Sequence, residues 1–132
     1  MLKTVQMGQT GIRCAMEADL SPELKTAMHS QLREYDELER QILATAAGNG
    51  WKLDNVHLGA KSMAKASVKT RLTFGDVDTK TASMMVQGNA RGIMQCGKNL
   101  YKCDDASSEV TGLVRKLMET ETRNILQMQG FL

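Results

Sequence analysis

Apolar residues recur along this chain at steps of three and four, the spacing that gathers them on one side of a helix. The pattern is most sustained over residues 79–103, where Ala82, Met85, Asn89, Ile93, Cys96 and Leu100 mark an inward face. Gly88 and Gly92 sit one turn apart beside that face. Each glycine inside a helix costs about 1 kcal/mol relative to alanine, so such a strip predicts close approach by a neighbouring helix. Residues 2 to about 18 form an earlier block on Leu2, Val5, Ile12 and Met16, again around glycines. Residues 22 to about 47 carry Leu24, Met28, Leu32, Tyr35, Leu38, Ile42 and Ala46 on one stripe, with Lys25, Arg33, Glu37 and Arg40 opposite. The last block runs to about residue 129 through Val110, Val114, Leu117, Glu121, Ile125 and Met128. A less apolar block, 56 to about 73, holds Val56, Met63, Val68 and Leu72, with Lys61, Lys65 and Lys69 four apart on one face.

The stops between blocks agree with helices. Ser21 suits an N-cap, Pro22 the first helical position, and Glu23 the positive helix end. Gly48-Asn49-Gly50 ends the second block. Gly75-Asp76-Val77-Asp78 is the next break, with Asp78 or Thr79 as the expected cap, and Ser107 is the expected cap of the last block.

Three phrases recur in order. Val5-Gln6 followed by Gly11-Ile12 is echoed by Val86-Gln87 followed by Gly92-Ile93. Ser21-Pro22-Glu23-Leu24 is echoed by Ser107-Ser108-Glu109-Val110, and Arg40-Gln41-Ile42-Leu43 by Arg123-Asn124-Ile125-Leu126. Together they predict two related helical hairpins, 1–50 and 79–132, joined by a crossover over 51–78. The expected fold is all-α: one four-helix bundle domain over 1–132, with an extra crossover helix.

Composition sharpens this picture. With 132 residues the chain suits one domain with a real core, and its ten Met and single Pro agree with helices. Aromatics at 4% leave little for stacking on bases, and 17 Lys and Arg against 15 Asp and Glu give too balanced a charge to imply nucleic acid. Three cysteines, Cys14, Cys96 and Cys103, cannot all pair within the chain, which argues against a secreted disulfide scaffold. No run of about 18 apolar residues exists to span a membrane, and the first residues are too polar for a signal-peptide core. The expected location is the cytoplasm.

The phrases Met1-Leu2-Lys3-Thr4, MMVQGNARGI at 84–93 and ETRNILQMQGFL at 121–132 resemble small ferritin-like helical proteins of the spore-coat F-like kind and uncharacterised Firmicutes relatives. The resemblance spans most of the chain. It implies a ferritin-like bundle and brings no assigned activity.

A ferritin-like di-iron centre needs a Glu from each of two helices and a Glu-x-x-His from each of the others. Here 79–103 holds neither Glu nor His, and His29 and His57 do not follow a Glu by three. No catalytic, cofactor-binding or metal-ligating residue is therefore expected. Asn89 and Glu121 are the polar residues on apolar stripes, and a buried amide or carboxylate is costly unless paired. They are the candidate core polar layer. The expected role is structural or protein-interacting and non-enzymatic, with self-association or another protein as partner. The alternative is a degenerate ferritin-like carrier of a metal or small ligand.

Overall fold

The structure is a computed structural model and describes residues 1–56, 61, 63, 76–102 and 106–132. Among the described residues four helices carry the fold: α1 Leu2–Ala15, α2 Pro22–Gly48, α3 Val77–Lys102 and α4 Ser108–Gln129. Regular structure among the described residues is helical throughout. The helix expected over 56–73, with Lys65, Lys69, Val68 and Leu72, lies almost wholly outside the described residues, as do His57 and Cys103.

The caps set the helix starts. Ser21 Oγ accepts the Leu24 N–H and Ser107 Oγ accepts the Val110 N–H, both at 3.3 Å. The two serines share nearly one backbone conformation, φ −58° with ψ 151° and φ −59° with ψ 154°. At α3 the expected cap is corrected. Asp76 accepts from the Thr79 N–H at 3.2 Å and from its hydroxyl at 3.1 Å. Asp78 instead accepts the Ser21 N–H at 3.0 Å, holding the start of α3 beside the start of α2.

α3 and α4 pack most extensively, then α1 and α2; the hairpins meet where α2 lies on α4 and α1 on α3. Gln6 bonds to Glu39 and Gln9 to Asp36, so α1 and α2 run antiparallel. Gln31 bonds to Gln127 and Thr45 to Glu109, so α2 and α4 do too. Val5, Ile12, Leu24, Met28, Leu38, Leu117 and Met128 are fully buried. Each such side chain contributes roughly 1.5–3 kcal/mol by leaving water.

Burial repeats along α2 and α4 at equal distances from the two cap serines. Met28, Tyr35, Leu38 and Ile42 stand where α4 has Val114, Glu121, Asn124 and Met128, all buried. The Val-Gln and Gly-Ile phrases sit differently in their two helices. Val5 and Ile12 are buried, whereas Val86 and Ile93 are half-buried.

Candidate functional site

Three polar side chains meet at the centre of the bundle. Tyr35 of α2, Asn89 of α3 and Glu121 of α4 are 1%, 3% and 1% exposed. Tyr35 Oη lies 2.7 Å from Glu121 Oε2 and 3.0 Å from Asn89 Oδ1. The expected pair Asn89 and Glu121 is thus brought to one place, with Tyr35 between them. Hydropathy alone marks Tyr35 as a core residue. The signal for its role is positional: it follows Ser21 by as many residues as Glu121 follows Ser107.

Two glycines make room for this centre. A Cβ at Gly92 would lie 2.5 Å from Glu121 Oε1 and 2.8 Å from its Cδ. A Cβ at Gly8 would lie 2.8 Å from Tyr35 Cζ. Both contacts are far inside ordinary van der Waals separation, so α1 and α3 approach the polar centre only because these positions lack side chains. Gly88 differs, since it is exposed and a Cβ there would meet open space.

A phenol carries one proton, so Tyr35 cannot donate to both neighbours. When Glu121 is protonated, its carboxyl donates to Tyr35 Oη and Tyr35 donates to Asn89 Oδ1. When Glu121 is ionised, Tyr35 donates to the carboxylate, and a turned-over Asn89 amide donates to Tyr35 Oη. In the first state Asn89 Nδ2 and Thr81 Oγ1 are buried without a partner among the described residues, while Asn124 lies close enough to Tyr35 to act on its phenol.

Burial pushes the Glu121 carboxyl up to about 7, and the Tyr35 hydrogen bond only partly opposes it. The Tyr35 phenol is driven far above its ordinary value by burial first and by the Glu121 charge second. Tyr35 therefore stays protonated, while Glu121 changes state near neutrality.

The centre is also the floor of a cleft of about 1120 Å³ between α1 and α3. Leu2, Met7, Met84 and Met85 give it apolar walls, and Gly8, Gly11, Gly88 and Gly92 leave room between them. Lys3 and Arg91 lie toward the mouth, where Lys3 stands 4.0 Å from Asp54.

A second polar group lies between α1 and α2. Gln6 Nε2 donates to Glu39 Oε1 and Asn55 Oδ1, both at 2.9 Å, while Gln6 Oε1 accepts the Val56 N–H at 2.9 Å. Gln9 Nε2 donates to Asp36 at 2.9 Å and to Glu39 Oε2 at 2.8 Å. These donors hold the Glu39 carboxyl below the usual range. The apolar stripe did not mark Gln6 and Gln9, which are buried by this network.

Among the described residues, no group of three or more His, Cys, Asp or Glu converges to hold a metal ion. Cys14 and Cys96 are buried and His29 is exposed. No helix among the described residues is long and apolar enough to cross a membrane. Comparison with protein-family models, with curated proteins and with solved structures finds no match for this chain.

Proposed function

We propose that this chain is a non-enzymatic ferritin-like bundle that binds a small molecule in the cleft between α1 and α3. The observation that carries the reading is the floor of that cleft. A buried carboxyl with one hydrogen-bond partner among the described residues, and an amide donor left without one while that carboxyl is protonated, lie at the floor of a partly apolar space large enough for a drug-sized molecule. Polar groups left short of partners inside a core ask for an explanation, and a ligand supplies their missing contacts.

The ferritin-like part of the proposal rests on helix direction. α2 and α3 start at the same end of the bundle, joined by Ser21 and Asp78, so the end of α2 and the start of α3 lie at opposite ends of it. A helix of 27 residues such as α2 spans about 40 Å. Two antiparallel hairpins with their ends so placed support the ferritin-like reading, in which one long connection joins them. The equal placing of Tyr35 and Glu121 after their caps supports a duplicated hairpin. In this reading the protein is cytoplasmic.

A second reading, self-association, draws on Leu126, Met94 and Leu43, which are 62%, 59% and 46% exposed. Native mass spectrometry of the purified protein addresses both. A retained small molecule, or a melting temperature raised by members of a small-molecule panel, is the expected result. A ligand-free protein whose melting temperature no panel member raises would overturn the cleft reading. A ligand-free oligomer would favour the second.

A further inference from the structure

We propose that the cleft selects a small organic cation, an amine with a short apolar body, whose ammonium group pairs with Glu121 while the body lies along Leu2, Met84 and Met85. The inference rests on the small-molecule reading above and adds the chemistry of the ligand.

A carboxylate offers about four acceptor sites, and on Glu121 Tyr35 fills one. Taking a carboxylate out of water costs several kcal/mol unless an opposite charge joins it. Among the described residues no ion pair reaches Glu121, although Glu34, Asp36 and Glu37 on the bundle surface each have an arginine. The buried carboxylate is therefore the one most in need of a cation, and it lies at the floor of the cleft that the described residues form.

The ionisable groups around it leave this need in place. From α2 come Tyr35, held neutral, and Glu34, a carboxylate acting on Tyr35. From α3 come Cys96, whose thiol burial pushes up, and Arg91, exposed toward the mouth. Lys3 of α1 and Asp54 of the segment after α2 stand together in solvent, and the Met1 ammonium, also at the cleft, acts on Cys96 rather than on Glu121. Exposed charges at the mouth are screened by salt far more than a charge at the floor. The apolar walls then favour a hydrocarbon body over a bare ion.

Binding of hexylamine, hexanol and hexanoate by NMR titration at pH 8 and pH 5.5 tests the inference. These probes share one apolar body and differ in head group. Hexylamine is expected to bind at least about tenfold tighter than hexanol at pH 8, the ratio that one modest charge contact gives. The advantage should shrink at pH 5.5, where Glu121 is protonated. Glu121→Gln should abolish the advantage and keep hexanol binding, with thermal melting confirming that the variant folds. Gly88→Leu, whose new side chain enters open cleft space, should weaken hexylamine and hexanol alike. Hexanol or hexanoate binding as tightly as hexylamine would overturn the cation inference and leave the cleft reading standing. Failure of all three probes to bind would overturn both.

Discussion

Glu39 and Glu121 are both carboxylates drawn into the same bundle, and they end in opposite states. Glu39 is met by amide donors from Gln6 and Gln9, which hold it below the usual carboxylate range. Glu121 meets one phenol, and burial lifts it to about 7. Glu39 belongs to a network whose donors are spent on α1, α2 and the segment after α2, which marks it as a structural clamp. Glu121 belongs to a centre that, among the described residues, leaves an amide unpartnered at the floor of the cleft, and this is the ground for the proposed binding site. Burial of a polar group is thus weak evidence of function, and incomplete pairing is the stronger sign.

The contrast predicts its own largest effect in pH dependence. The folded Glu121 holds its proton up to about 7, above its ordinary 4.5. The folded state therefore binds more protons than the unfolded state between these values, and stability falls as pH rises through that window. The loss amounts to about 3 kcal/mol by pH 8. Chemical denaturation of Glu121→Gln against the natural protein should show that decline removed. A natural protein whose stability relative to the variant is level from pH 4 to pH 8 would break the contrast.

The next effect is steric. Gly92→Leu drives a side chain into Glu121 and should cost roughly 1–3 kcal/mol by overpacking. An unchanged or higher melting temperature would refute the close approach of α3 and α4. Tyr35→Phe removes the phenol donor to Glu121 and should cost roughly 1–2 kcal/mol, more at pH 8 than at pH 5. An equal cost at both values would mean that the phenol does not serve the ionised carboxylate.

On the clamp side the signs reverse. Gln6→Ala should cost roughly 1 kcal/mol and let the Glu39 carboxyl rise toward its ordinary value. A lowered carboxyl contributes stability that is lost as pH falls through its folded value, so this variant should lose less stability on acidification. Smallest is Arg123→Ala. Its 2.7 Å pair with Glu34 joins α4 to α2 in solvent, and denaturation should register no more than about 0.5 kcal/mol.

The sequence made the helices legible because their boundaries are written in local chemistry. Ser21, Pro22 and Ser107 open helices where a capping serine should, and Gly48-Asn49-Gly50 closes one. Asp76 rather than Asp78 caps α3 because Asp78 is engaged by the Ser21 backbone, a contact from a distant part of the chain. Asn89 and Glu121 stood out as polar residues on apolar stripes. Tyr35 did not, since a tyrosine on a stripe reads as core until its hydroxyl finds a partner. Gln31, Thr120 and Asn124 are buried while Ile93 and Ile125 are half-buried. Hydropathy misplaces them because the helices meet along a face that follows the polar centre as well as the most apolar line.

Glu121 is a buried carboxyl, short of partners among the described residues, at the floor of a cleft. NMR titration of the glutamate side-chain carboxyl carbons, with Glu121 assigned through the Glu121→Gln variant, measures it most directly. The Glu121 resonance is expected to titrate with a midpoint near 7. A midpoint at or below about 4.5, the ordinary glutamate range, would contradict it.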